Sequence, residues 1–192
     1  MKLRSMLMAM TLLGVASSAH AANILLFSPA STSVNVGGTV VLQVRIDSVT
    51  NFAGWQFDLL FNNARFSSTA ITDGTIFTTG GNSDFFLLGS VSGGTISGTA
   101  NSLFGASGVT TSNGLLASFS FAALTAGVGT FSFDLINLID GNGNQITPGT
   151  SGTASVTINA AGGVPEPSTW MLLGGGLFAA GLLRRRLGLG GV

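Results

Sequence analysis

Cysteine and tyrosine are both absent from the 192 residues, histidine occurs once, and charged residues make up only 7%. Each shortage excludes something. Without cysteine there is no disulfide framework, no thiolate zinc site and no thiol nucleophile. The one histidine, His20, falls in a segment read below as a leader. The remainder then has no histidine for Ser/His/Asp catalysis. An average soluble protein carries roughly a quarter of its residues as Asp, Glu, Lys and Arg. Here Gly, Ser, Thr and Asn take their place, with 29 glycines. Such a surface offers no basic stripe for phosphates, which argues against nucleic acid. Between Ala22 and Gly163 the cations are Arg45 and Arg65 alone. The acids there are Asp47, Asp58, Asp73, Asp84, Asp134 and Asp140.

What is present divides into two ends and a middle. Residues 1–21 read as a secretory signal peptide. Lys2 and Arg4 open it, Met6 to Val15 is its apolar core, and Ala19-His20-Ala21 is a small-x-small cleavage site. At the other end Val164-Pro165-Glu166-Pro167 leads into an uncharged apolar run, Thr169 to Leu183, and then Arg184-Arg185-Arg186. The prolines break regular structure. Trp170 suits a membrane interface, and the arginines suit a cytoplasmic flank. The run lacks a polar face and contains Gly174-Gly175-Gly176, which disfavours a stable soluble helix. Residues 169–192 are therefore expected to be a transmembrane helix with a basic tail, after a linker at 161–168. The run is shorter than the roughly twenty residues of a permanent span, which suits temporary residence.

The middle, residues 22–160, alternates with period two. Val40, Leu42, Val44 and Ile46 share one face of a strand from Thr39 to Asp47. Trp55, Phe57, Leu59 and Phe61 share one face of the next. A first strand ends at Pro29. Val34 to Gly38 and Ser48 to Asn51 read as turns, and Thr72 to Asp84 and Asn101 to Asn113 as loops. Phe66 to Ile71 is a weaker strand, and Gly93-Gly94 joins a hairpin. Leu115, Ala117, Phe119 and Phe121 are expected on one face, as are Phe131, Phe133 and Leu135. Many short strands with frequent turns predict an all-β sandwich.

Two stretches resemble known families. The tail resembles the PEP-CTERM sorting signal of bacterial surface proteins, which implies export, transient anchoring in the inner membrane and processing by an exosortase-type enzyme. Val34 to Val40, followed by Phe52 to Phe61, is similar to a cohesin domain, as are Gly114 to Phe121 and Gly129 to Phe133. That resemblance implies a jelly-roll of about nine strands related to carbohydrate-binding modules. It implies dockerin or polysaccharide as partner, although Phe61-Asn62-Asn63 departs from the family pattern.

The chemistry-bearing candidates are few. Asp140, Asn142 and Asn144 place oxygen ligands at alternate positions, as in the opening of a calcium loop. The pattern then requires Gly and Glu where Gln145 and Ser151 stand, and Asn and Gly also make tight turns. Calcium at this turn is the one cofactor considered. Six scattered aspartates read as solvated surface acids and not as a glycosidase pair. Trp55 reads as core, with a sugar-stacking platform as the alternative. The expectation is an exported, non-catalytic surface or extracellular-matrix protein whose module binds carbohydrate or another surface protein. The alternatives are a passive, glycosylated matrix protein and a carboxylate-dependent glycosidase.

Overall fold

The period-two runs of the middle segment become two facing sheets in the computed structural model, which describes residues 24–79, 81–105, 107–161 and 167–186. The strands are β1 (Ile24–Ser28), β2 (Ser31–Asn35), β3 (Thr39–Asp47), β4 (Val49–Phe61), β5 (Phe66–Asp73), β6 (Asp84–Leu87) and β7 (Ser90–Ser92). They continue with β8 (Thr95–Leu103), β9 (Val109–Thr111), β10 (Gly114–Ala123), β11 (Gly127–Asp140), β12 (Gln145–Ile146), β13 (Thr150–Ser151) and β14 (Ala154–Asn159). One helix, α1 (Pro167–Arg186), follows.

The smaller sheet has the order β13-β1-β3-β10-β5. The larger has β2-β14-β11-β4-β8-β6, with β12 on β11, β7 on β8 and β9 on β4. This is the expected jelly-roll β-sandwich. It has more strand segments than the nine expected, because the first run splits where the chain changes sheet and the short β7, β9 and β12 add to the larger sheet. β1 pairs with β3, yet β2, two residues later, pairs with β14 in the other sheet. Pro29 lacks an N–H and stands at that switch. Val34 and Asn35 accordingly belong to β2 and not to a turn. Between β3 and β4 the crossing takes only Ser48, at φ 55°, and Asn51 adds a second left-handed residue at φ 54°. The expected loop from Asn101 to Asn113 holds the end of β8 and all of β9.

The inward faces meet in a phenylalanine-rich core. Val40, Leu42, Val44 and Ile46 are buried from β3, and Trp55, Phe57, Leu59 and Phe61 from β4. Phe121 lies between Phe61 and Phe131, with ring centroids at 5.1 and 4.8 Å, and Phe66 closes the group at 4.8 Å from Phe131. Tilted and edge-on rings at these spacings add to the gain from burial. The parity expected for the last two long strands fails partway. A register shift between Leu115 and Ala117 turns Leu116 into the core beside Ala117. Another, between Phe133 and Ile136, leaves Leu135 48% exposed and buries Leu138 instead.

The ends of the chain are less fully described. Residues 1–21, with Ala19 and Ala21, and the motif residues Val164, Pro165 and Glu166 lie outside the described residues. α1 covers the predicted apolar run, and its side chains from Met171 to Leu183 are all exposed. Among the described residues no helix is long and apolar enough to cross a membrane. Four glycines dilute α1, and Arg184, Arg185 and Arg186 occupy its last turn. Its uncharged part is correspondingly short.

Candidate functional site

Three places in the sandwich gather polar chemistry or exposed apolar surface. The first is the turn at Asp140. Its Oδ1 accepts hydrogen bonds from the backbone N–H of Asn142 at 2.9 Å and of Asn144 at 2.8 Å. Its Oδ2 accepts from Asn144 Nδ2 at 3.0 Å. These donors, the Asn144 side chain foremost, hold the carboxyl below the usual carboxylate range. Both carboxylate oxygens are thus used by the turn itself. Asp140, Asn142 and Asn144 form an Asx-type turn around one acceptor. A calcium cradle would instead require their oxygens to converge on one point.

The second place was not expected. Asp73 ends β5 in the smaller sheet, and Asp84 begins β6 at the edge of the larger one. Asn101 of β8 lies between them, only 3% exposed, and donates Nδ2 to Asp73 Oδ1 at 2.9 Å and to Asp84 Oδ2 at 2.6 Å. Asp73 Oδ1 also accepts from the Gly74 N–H at 2.7 Å. Burial and the nearby Asp84 carboxyl push the Asp73 carboxyl above its usual value, against the pull of Asn101. Asp73 and Asp84 are therefore half-buried partners, which corrects their reading as solvated surface acids. A glycosidase pair stands about 5 to 10 Å apart across a substrate. These two instead share one amide.

Asp58 and both arginines serve the scaffold. Asp58 accepts from Gly98 N–H at 2.7 Å. Arg45 donates to Asn113 Oδ1 at 2.7 Å and to Gln43 Oε1 at 3.0 Å, and Arg65 donates to the carbonyl of Ala126. Trp55 is 3% exposed and stacks on Phe57 at 4.8 Å, so it is core and not a sugar platform.

The third place is the outer face of the larger sheet. Four strands, β6, β8, β4 and β11, set two rows of residues side by side. One row runs Phe85, Ser102, Gly54, Ile139, and the other Leu87, Ala100, Gln56, Asn137. Of the middle positions Ser102, Gly54 and Ala100 are small. At Gly54 even a Cβ would come within 2.9 Å of Ile139. Phe85 and Leu87, half exposed at 55% and 50%, stand along one side. The result is a shallow groove of about 180 Å³ with an apolar wall, an amide-bearing floor and no charge. Phe104, 60% exposed, packs edge-on against Phe85 and extends the apolar wall. The alternation of β4 made its inward face legible. The outward groove depends on register across four strands, which alternation does not give.

Comparison with known proteins agrees with this architecture. The cohesin domain model matches residues 27–158, and the PEP-CTERM protein-sorting motif matches residues 163–186. Among solved structures, a non-cellulosomal cohesin from the archaeon Archaeoglobus fulgidus is 14% identical at TM-score 0.57, covering 79% of this chain and 97% of that one. A cohesin of Clostridium acetobutylicum is 18% identical at TM-score 0.58, covering 72% and 92%. The sixth cohesin of an Acetivibrio cellulolyticus scaffoldin, solved with a dockerin, is 15% identical at TM-score 0.58, covering 72% and 100%. At such identities these structures share the fold. No curated protein sequence matches the chain.

Proposed function

The chain belongs to the cohesin family, and on that premise we propose that its sandwich is a non-catalytic docking module that binds another surface protein through the outer face of β6, β8, β4 and β11. The sorting motif marks the chain as an exported protein of the cell envelope. The observation that carries the proposal is the groove between Phe85, Leu87, Asn137 and Ile139. An exposed apolar wall beside polar amides is what a protein interface buries at its centre and satisfies at its rim. A polysaccharide platform would need several exposed coplanar rings, and of the two aromatic residues that line this groove Phe85 is exposed while Trp55 is buried. The acetivibrio relative, solved with a dockerin, supports a folded protein as the class of partner.

In this reading the tail delivers the module. Val164, Pro165, Glu166 and Pro167 would present the sorting motif to an exosortase-type enzyme. α1 and Arg184 to Arg186 would hold the chain at the inner membrane until processing. The leader at 1–21, cleaved after Ala21, would begin export.

A substitution on the groove floor tests the docking surface. Ala100 is partly exposed between Leu87 and Gln56, so Ala100→Arg fills the groove without entering the core. The full chain, immobilised, is expected to retain a specific envelope protein that Ala100→Arg no longer holds, the loss being about 2 kcal/mol or more, as at an interface centre. Equal retention by both forms, or retention of polysaccharide alone, would remove the proposal. Retention of nothing, with sugar attached to the protein, would favour a passive glycosylated matrix role.

A further inference from the structure

A second cavity lies away from the groove and has no part in docking. It is about 300 Å³ and opens where β9 and the turn after β5 meet the ends of β3 and β10. Two backbone bonds tie the turn down, from Gly74 N–H to Leu116 O at 2.9 Å and from Ile76 N–H to Leu115 O at 3.1 Å. Ile76 is thereby pressed onto Gly114, where a Cβ would come within 2.4 Å of its side chain. Ile76 and Leu115 give the cavity an apolar side. Thr79 and Thr110 give it hydroxyls, each with a free function. Thr79 Oγ1 donates to Thr75 O at 2.6 Å and keeps its lone pairs, whereas Thr110 Oγ1 accepts from Asn51 N–H at 3.2 Å and keeps its proton. Arg45 is the one charged residue of the lining. Its Nε and Nη2 donate to Asn113 Oδ1 and O at 2.7 and 3.4 Å, and its Nη1 donates to Gln43 Oε1 at 3.0 Å. These bonds use three of the five guanidinium N–H groups, so Nη1 and Nη2 keep one each.

A half-buried guanidinium held only by neutral amides still carries an uncompensated charge. Asp47 stands two residues along the same face of β3, yet it accepts from Ser48 and not from Arg45. The two spare N–H groups match the two oxygens of a carboxylate, the planar anion that a guanidinium takes best. We propose that this cavity binds one carboxylated sugar unit, a hexuronate, of an acidic envelope polysaccharide. The carboxylate takes Arg45, the ring hydroxyls take Thr79 and Thr110, and the C–H face of the ring lies on Ile76 and Leu115. The volume stands at the small end of ligand sites and suits a single ring. A phosphate group carries nearly two charges at neutral pH and is served less well by one arginine. Net charge limits the mode of binding. Between Ala22 and Gly163 six aspartates outnumber two arginines, so a polyanion laid along the sandwich is repelled, and a unit at a chain end or branch is accepted. The docking groove shares no lining residue with this cavity, so one module can hold a protein and a glycan together.

The test is saturation-transfer NMR on the full chain in detergent at neutral pH, with D-glucuronate, glucose and acetate as probes. Glucuronate is expected to bind about tenfold more tightly than either of the others, because glucose lacks the charge and acetate lacks the ring. Raising the salt from about 50 to about 500 mM should narrow its lead over glucose. Arg45→Gln is expected to abolish that lead, and Thr79→Val to weaken glucuronate and glucose alike. Labelling of the parent chain with phenylglyoxal, read by peptide mass spectrometry, does not depend on any variant folding. Glucuronate should protect Arg45 and leave Arg65 reactive. Ala100→Arg, which fills the docking groove, should keep glucuronate binding, so the two sites succeed or fail separately. Equal binding of glucuronate and glucose would overturn the proposal. So would acetate that binds as tightly as glucuronate, a lead that survives Arg45→Gln, labelling of Arg45 that glucuronate leaves unchanged, or glucuronate binding lost in Ala100→Arg.

Discussion

Two aspartates in this chain respond to their surroundings in opposite senses, and each implies its own pH dependence. Asp140 is held below the ordinary carboxylate range by the donors of its own turn. Its charge-dependent contribution is complete above the unfolded pKa and is lost as pH falls through the depressed folded value. Replacing Asp140 with Ala should therefore lower Tm at pH 7, and the gap to the parent should narrow below about pH 4. A gap that stays constant from pH 7 to pH 2.5 would show that the charge is irrelevant. Asp73 runs the other way, because its folded pKa is raised by burial and by Asp84. Its contribution is complete below the unfolded pKa and is lost as pH rises through the folded one. Melting should accordingly favour mildly acidic buffer over neutral buffer more strongly for the parent than for Asp84→Asn, and an identical preference in both would contradict the pairing.

At the scale of single elements, the sandwich is sensitive where glycine lets two strands approach. Gly74 leaves β5 with its N–H bonded to Leu116 O, and a Cβ there would lie 2.1 Å from the carbonyl oxygen of Leu115. That obstacle is backbone within a sheet and cannot rotate aside. Gly74→Ala should cost about 2 to 4 kcal/mol in urea unfolding, in the range of strained or overpacked sites. A cost below about 0.5 kcal/mol, the level of an ordinary surface change, would refute the close packing. In the core, Phe121→Ala removes the ring shared by Phe61, Phe66 and Phe131, with an expected loss of about 3 to 5 kcal/mol. An unchanged urea midpoint would mean that those rings do not pack as described.

The same elements explain what could be read from residue order. β3 and the second half of β4 were legible because every second residue is large and apolar, and both strands run through the sandwich without changing parity. Leu115 and Leu135 were misplaced because bulges shift the pattern by one residue, and a bulge leaves no mark in composition. β2 and β9 carry Ser, Thr and Val in no clear alternation. They form because a neighbouring strand offers an open edge, which is a tertiary condition. The meeting of Asp73 with Asp84 was out of reach for a similar reason. A loop separates them, and only the stacking of one sheet on the other brings them to the same amide. The turn at Asp140 is local in origin, so its residues named it correctly as a turn candidate.

At the scale of the whole molecule, the sandwich and the tail have different physical requirements. The sandwich buries its apolar residues in one core and exposes a neutral face. α1 exposes every apolar side chain from Met171 to Leu183, so water is not a medium in which it gains anything from those residues. Yet at about 1.5 Å per residue its uncharged part is shorter than the hydrocarbon core of about 30 Å. A segment that is too apolar for water and too short for a lasting span suits a stage of delivery better than an end state. Mature protein from the envelope should therefore lack α1, and intact-mass spectrometry of membrane and surface fractions reads this directly. Substituting Glu166 with Ala should leave the sandwich folded and shift the chain toward the membrane fraction with its tail attached. If chains ending at Val192 dominate every fraction of the parent, the tail is a permanent part of the protein. The groove would then have to find its partner within reach of the inner membrane.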